Sequence, residues 1–451
     1  MYPEIKEEIV NTGNYVVVQR QNFRKLCKIT KDGTFTLNKK QIEVNEIIGK
    51  PYWTTFKMIP SNKGKNNMAL EVVERAETSE DLKKGLISGV DNRSITDDGT
   101  SQKLSKEDIL DLKEAGKSSN EIVGCLIENS SSFISKTEYS QEKYIKKKET
   151  KYYKYLTILK PTICLLQEIY FKQDHGKINC IRMDTLSQIL SYCDVKADGQ
   201  YLLYDGGSAG LVTAALLNRI GAQTEGTLIN IHPGNHPNLT LVLAMNFPEE
   251  QLNRLQSVNL YTFLRLYHQG IEVVEAGLTK MYSENKKSVD NMKRTHSDSE
   301  DDNSTTKKIK LEDLSSEKKE ALESKEDNQK TSTNNSVIFK KPKWLCETQK
   351  VVESLKVSKV EGLAVIAKEH PLNIVNALLT FLGTSKPFVI YHCYREPLQE
   401  TYVALKQRKD VINLKLFSNF FRGYQVLPNR THPEITTNDL GGYLLSGYLV
   451  N

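Results

Sequence analysis

No run in this 451-residue chain comes near the roughly 18 consecutive apolar residues that a helix needs to cross a bilayer, so no membrane-spanning helix is expected. The opening MYPEIKEEIV is acidic and mixed and does not read as a secretory signal. Cysteine is sparse: the seven stand at 27, 125, 164, 180, 193, 346 and 393, none in a Cys-x-x-Cys pair. The odd number and scattered spacing argue against a disulfide frame or a zinc site, and for buried thiols in a reducing compartment. The eight histidines are scattered too. Neither charge sign dominates, since 62 Lys and Arg stand against 56 Asp and Glu, for a net +6. Hydrophobic content is 38% and charged content 26%, a polar balance expected when a disordered part dilutes folded ones. The length fits two or three domains of about 150 residues.

What is present is unevenly placed. NYVVVQR, FRKLCKI, GTFTL and QIEVNEI (within 14–58) are short strands parted by polar turns such as Lys31-Asp32-Gly33. Such tight spacing predicts a small β-barrel or sandwich, placed at 1–90. Its strands carry Arg20, Arg24, Lys25 and Lys28, which form either a solvated face or an RNA-facing one. Residues 59–103 lack periodicity and read as a connector. Ser105 with Asp108 forms a capping box ahead of Ile109, Leu110 and Leu112. Gly116 then marks a stop, Ser118 and Ser119 a new start, and Ile122, Val123, Leu126 and Ile127 a second apolar stripe.

SQEKYIKKKETKYYKY (140–155) closes a helical, Lys-rich connector assigned to 91–155. It interleaves Lys143, Lys146, Lys147, Lys148, Lys151 and Lys154 with Tyr144, Tyr152, Tyr153 and Tyr155. Lysines meet phosphates and displace condensed counterions. Tyrosines stack on unpaired bases or, in the plainer reading, turn inward from a solvated helix.

Residues 156–282 and 341–451 alternate strand and helix, predicting a parallel, doubly wound sheet. LTILKPTICLLQEIYF reads as an apolar helix broken by Pro161, and the last two strands as an antiparallel pair closing the sheet edge. Between the two parts, 283–340 holds few large apolar residues and is expected to be a disordered insertion. Inside it, Lys293-Arg294 and the cluster Lys307, Lys308, Lys310 have the spacing of a bipartite nuclear import signal, so a nuclear location is expected.

YDGGSAGL (204–211) follows a strand and opens a helix, where a nucleotide-type cofactor needs glycines to bring backbone to the ligand. Against the Gly-x-Gly-x-Gly expected of a methyltransferase, one register keeps Gly206 and Gly210 but has Ser208 in the middle. The other keeps Gly207 but has Ala209 and Leu211. The next strand, LINIHPG, ends on His232 where an acid should hold the ribose hydroxyls. EGLAVIAKEHP ends on Ala367 and Lys368 where a polar catalytic group would stand. Three positions that lack the chemistry predict a degenerate cofactor site. Lys368, a cation where an active relative has its acid, suits a phosphate, unless a neighbour such as Glu369 pairs with it.

The runs DNRSITDDGTSQKLSKEDILDLKEAG (91–116), ENSSSFISKTEYSQEKYIKKKETKYYKY (128–155) and VLPNRTHPEITTNDLGGYLLSGYLV (426–450) resemble the non-catalytic subunit of the eukaryotic tRNA (adenine-58-N1)-methyltransferase. That resemblance covers most of the chain outside 283–340. It implies an N-terminal barrel followed by a Rossmann-like, methyltransferase-type domain. It implies a homologous catalytic partner that binds S-adenosylmethionine, two copies of each in a heterotetramer, and methylation of a T-loop adenine in tRNA. The partner's catalytic aspartate maps, anchored on Pro371, to Ala367. No cofactor is then expected on this chain. Two other functions compete: an active S-adenosylmethionine-dependent RNA methyltransferase, supported by Asp205-Gly206-Gly207, and an RNA-binding translation regulator with no such partner.

Overall fold

In a computed structural model, residues 8–61, 64, 66–83, 89, 101–277, 341–426, 431–435 and 441–450 are described. The expected insertion at 283–340 and its Lys293, Arg294, Lys307, Lys308 and Lys310 lie outside them. The chain divides into two compact units, Met1–Gln256 with Lys359–Asn451, and Ser257–Ser358.

The first unit opens with strands β1 (Tyr15–Arg20), β2 (Phe23–Lys28), β3 (Thr34–Leu37), β4 (Lys40–Glu43), β5 (Thr55–Pro60) and β6 (Asn67–Val73). Alternation sets their inward faces, so Val16, Val18, Phe35, Leu37, Phe56, Met58, Met68 and Leu70 all enter one core. The sheet runs β2-β1-β7-β5-β6-β4-β3, and one of its inner strands is a distant segment, β7 (Tyr155–Leu159). This strand pairs antiparallel with both β1 and β5 and gives Leu156 and Ile158 to the barrel core. The two sheet edges are bridged where Lys25 Nζ on β2 donates to the Thr36 carbonyl on β3 at 2.8 Å.

Two sequence expectations are thereby corrected. Residues 59–103 are more than a connector, because Thr55–Pro60 and Asn67–Val73 are paired strands. LTIL opens no helix: it is β7, and the helix begins only at Ile163, where the Thr162 hydroxyl accepts from Leu165 N–H at 3.3 Å. Pro161 enforces the break, since a residue before proline avoids the helical region.

Between β6 and β7 stand the helices Lys106–Glu114, Ser119–Glu128 and Glu138–Tyr152. Both capping boxes form, Ser105 with Asp108 and Ser118 with Glu121. Ile122, Val123 and Leu126 bury against Tyr152 and Tyr153.

After the helices Ile163–Asp174 and Met183–Tyr192, a second seven-stranded sheet runs β10-β9-β8-β11-β12-β16-β13. Its strands are β8 (Gln200–Asp205), β9 (Thr227–His232), β10 (Leu255–Asn259), β11 (Gly362–Ile366), β12 (Lys386–His392), β13 (Val411–Phe417) and β16 (Tyr443–Leu449). A two-residue ribbon, β14 (Tyr424–Gln425) with β15 (His432–Pro433), stands apart. β9, β8, β11 and β12 are parallel, and β11 is buried along its whole length, as a strand covered on both faces must be. β16 lies antiparallel between β12 and β13, the closing pair read from the sequence. Strand order reverses at β8 and β11, so the crevice for a ligand opens at their carboxyl ends.

In the second unit, the helices Leu260–Gln269 and Lys343–Val357 pack together, with Lys356 Nζ 6.0 Å from the Tyr267 ring centre. Of the seven cysteines, all free, only Cys27 and Cys193 are buried, which corrects the expectation of buried thiols throughout.

Candidate nucleic-acid interface and the glycine-loop site

The loop after β8 is closed on itself. Asp205 accepts from the N–H of Gly207 at 3.1 Å and of Ser208 at 2.7 Å, and from the hydroxyls of Ser208 at 2.6 Å and Thr213 at 3.3 Å. Both carboxylate oxygens are thus spent inside the turn. Ser208 is fully buried, so the middle position of the glycine pattern is filled by a packed side chain. Ala209 sits in the left-handed region at φ +55°, between Gly207 and Gly210, also at positive φ. Gly206 N–H donates to the Ile366 carbonyl at 2.7 Å, stitching the turn to β11.

The neighbouring strand ends complete the picture. His232 is buried, with Nδ1 2.7 Å from the Gly234 carbonyl, and burial lowers its pKa. The Ala367 methyl is buried and offers no proton chemistry. Lys368 is exposed, and its methylenes lie across Gly207: a Cβ there would overlap them. Glu369 takes up the Tyr204 hydroxyl and the Lys368 N–H rather than the Lys368 ammonium. Among the described residues no acid lies within ion-pair distance of that ammonium. The same residues hold no cluster of three or more metal-ligating side chains.

The Lys-rich segment is the helix Glu138–Tyr152. Lys143, Lys146, Lys147 and Lys151 are exposed, as the helical period places them on one side. The tyrosines turn inward. Tyr144 is half-buried, edge-on to Phe133 at 5.4 Å, with Lys136 and Lys148 capping its ring at 5.6 and 4.9 Å. It is therefore held by protein and cannot double as a stacking platform, and Lys148 is half-buried over it. Lys154 is half-buried, its pKa lowered by burial and then by Lys40, Lys113, Arg20 and Lys57. Those cations lie far apart in sequence, so composition along the segment missed Lys40, Lys57 and Lys113.

The barrel cations, read from the sequence as either a solvated or an RNA-facing set, have separate partners in the fold. Arg20 donates to the carbonyls of Thr150 at 2.9 Å and Tyr153 at 3.4 Å, tying β1 to the end of the Lys-rich helix. Arg24 pairs with Glu168, and Lys25 bridges the barrel edges, so both are occupied within the fold. Between the barrel rim and the helix run two adjoining crevices of about 310 and 570 Å³, sharing Asn22, Lys146 and Glu149. Arg20 and Phe23 line the first; Lys83, Tyr139 and Lys143 line the second.

The Gcd10p family model matches residues 9–303, about two-thirds of the chain. The chain belongs to the Gcd10p family. Relatives of this Gcd10p-family protein include "tRNA (adenine(58)-N(1))-methyltransferase non-catalytic subunit TRM6" of Mus musculus, 32% identical, covering 99% of this chain and 90% of that one. The protein of the same description from Dictyostelium discoideum is 31% identical over 97% of this chain and 79% of its own. Among solved structures, tRNA (m1A58) methyltransferase TrmI of Aquifex aeolicus aligns with a TM-score of 0.41 at 10% identity, covering 98% of this chain and 100% of that one.

One further feature of this Gcd10p-family chain escaped the sequence reading. Phe420, Phe421, Tyr424, Val426 and Ile435 are all exposed, Phe420 at 83% and Ile435 at 89%. Asn419 and Phe421 are tied to the fold. The buried Arg182 pairs with Asp184 at 2.7 Å, donates to the Asn419 carbonyl at 3.0 Å, and stands 5.5 Å from the Phe421 ring centre. Five large side chains exposed to water between residues 420 and 435 are the kind of feature that marks an interaction surface.

Proposed function

We propose that this Gcd10p-family chain is the non-catalytic, tRNA-binding subunit of a tRNA (adenine-58-N1)-methyltransferase, working beside a catalytic partner that carries the S-adenosylmethionine. The observation that carries the reading is the exposed lysine face of the helix Glu138–Tyr152, together with the cation group around Lys154. The neighbouring cations oppose protonation of Lys154, so the group gains when a polyanion arrives, and phosphates supply that charge. The names of the relatives support the same role. The self-satisfied turn at Asp205, buried Ser208, His232 and Ala367 favour a chain that leaves the cofactor to its partner. The exposed loop at Phe420 and Phe421 supports a stable protein partner, and two copies of each chain remain the assembly we propose.

The experiment is purification of the tagged chain from cells, followed by mass analysis and methyl transfer to tRNA. A co-purifying chain that binds S-adenosylmethionine, with activity in the complex and none in the separated chain, is the expected result. Methyl transfer by the isolated chain would favour an active enzyme. Binding of tRNA with no such partner would favour a translation regulator.

A further inference from the structure

Across the sheet mouth from the glycine loop lies a cavity of about 280 Å³, lined by Asn179, Cys180, Lys368, His392, Cys393 and Tyr394. It opens where β11 and β12 end, the side of an open α/β sheet on which ligands sit. We propose that it takes one unpaired nucleotide, the base against the Tyr394 ring and the phosphate at the Lys368 ammonium. The proposal rests on the RNA-binding reading above and goes beyond it, because nothing in that reading uses this cavity.

Three observations carry it. Tyr394 is 67% exposed, a large aromatic ring left in water at the end of a central strand. The backbone that carries the ring is fixed, however. Tyr394 N–H donates to His392 Nδ1 at 3.0 Å, and the His392 Nε2–H meets the Lys368 carbonyl at 3.3 Å. That tautomer lets one buried imidazole fix both strand ends, and its ring stands 5.7 Å from Tyr394. Second, the polar groups of the floor are already satisfied. Asn179 Nδ2 donates to the Ala367 carbonyl at 3.2 Å, Tyr391 Oη to the Asn179 carbonyl at 2.7 Å, and the Cys393 thiol to Asn179 Oδ1 at 3.1 Å. A floor whose polar groups are largely engaged with one another favours the face of a base over its edge, as stacking sites do. Third, Lys368 brings a cation to the rim with no ion-pair partner among the described residues, and phosphate is what a lone ammonium at a nucleotide site meets.

An unpaired nucleotide of an RNA strand and a free mononucleotide share this chemistry, so the test has two arms. In the full-length protein, Tyr394→Ala is expected to weaken tRNA binding about tenfold at fixed salt, and Tyr394→Phe, which keeps the stack, about twofold or less. The Tyr394 ring is exposed, so the fold does not depend on it, and an unchanged melting temperature of Tyr394→Ala checks this. In the second arm, millimolar AMP should slow alkylation of Cys180 and Cys393, mapped by mass spectrometry, in the wild type but not in Tyr394→Ala. The exposed Cys164 serves as internal control. Loss of tRNA affinity without AMP protection assigns the site to the RNA strand. AMP protection with unchanged tRNA affinity assigns it to a free nucleotide. Neither effect, in a protein that still binds tRNA, overturns the proposal and leaves the RNA-binding reading intact. A protein that binds no tRNA at all sinks that reading, while AMP protection still reports on this cavity.

Discussion

Replacing Lys146 and Lys147 with alanine should change how tRNA binding responds to salt, and replacing Lys148 should not. The three are consecutive, yet the helix sorts them. Lys146 and Lys147 are exposed beside Lys143, and Lys146 lines both crevices at the barrel rim. Lys148 lies 4.9 Å from the Tyr144 ring centre, half-buried, with its pKa lowered first by that burial. Each lysine–phosphate pairing removed flattens the slope of log affinity against log salt by about 0.9 on a duplex site or about 0.7 on a single strand. The double variant should therefore lose roughly 1.4 to 1.8 from the slope. Between about 50 and 200 mM salt this makes the wild type lose about tenfold more affinity than the variant. Lys148→Ala should instead cost about 0.5–1 kcal/mol of stability, the worth of a partly exposed cation–π pair, with the slope unchanged. Fluorescence anisotropy with labelled tRNA at four salt concentrations, alongside urea unfolding, reads both quantities. An unchanged slope in the double variant, or an equal flattening in Lys148→Ala, would refute the sorting.

Calorimetry on the pure chain should detect no S-adenosylmethionine binding; micromolar affinity would show that the turn at Asp205 opens to admit a ligand. Alanines at Lys293, Arg294, Lys307, Lys308 and Lys310 should abolish nuclear accumulation of the fluorescently tagged chain, and unchanged accumulation, tested in cells depleted of the catalytic partner, defeats that signal. Phe420→Ser with Phe421→Ser should leave the melting temperature of the lone chain within a degree or two of wild type but strip the partner from it during gel filtration. Retention of the partner would place the interface elsewhere.

Features governed by a few consecutive residues could be read from the sequence, and those governed by distant ones could not. The box at Ser105 needs only Asp108, and both of its hydrogen bonds form, at 3.1 and 2.8 Å. β8, the glycine turn and the following helix are one continuous signal and fell where expected. β7 fails this condition. Its partners β1 and β5 are about 140 and 100 residues upstream, so nothing local announces that LTIL completes the barrel. With no visible partner, four apolar residues before another apolar run read as helix. Only the residue before Pro161 carried a contrary signal. β6 was missed for a related reason. NMALEVV buries Met68 and Leu70 but leaves Val72 exposed at the end, an alternation too short to stand out from a connector.

The site divides along the same line, with a consequence for how the pocket we propose to be lapsed should be judged. The missing glycine, the missing acid and Ala367 were all visible as letters, but an absent group says only that chemistry is lost. What occupies the space is set by packing between remote segments. Lys368 lies over Gly207 from just past a strand that begins more than 150 residues later, and Asp205 is consumed by hydroxyls of its own turn and of the helix that follows. A loop that has merely lost its ligand would keep backbone N–H groups facing an open crevice, and one restored side chain could re-create affinity. Here two of those N–H groups already have a carboxylate, and a lysine chain covers the glycine. Restoring glycine at Ser208 alone would remove the hydroxyl that binds Asp205 without moving Lys368. The glycine pattern is thus the less informative half of the site, and the strand end facing it the more informative one.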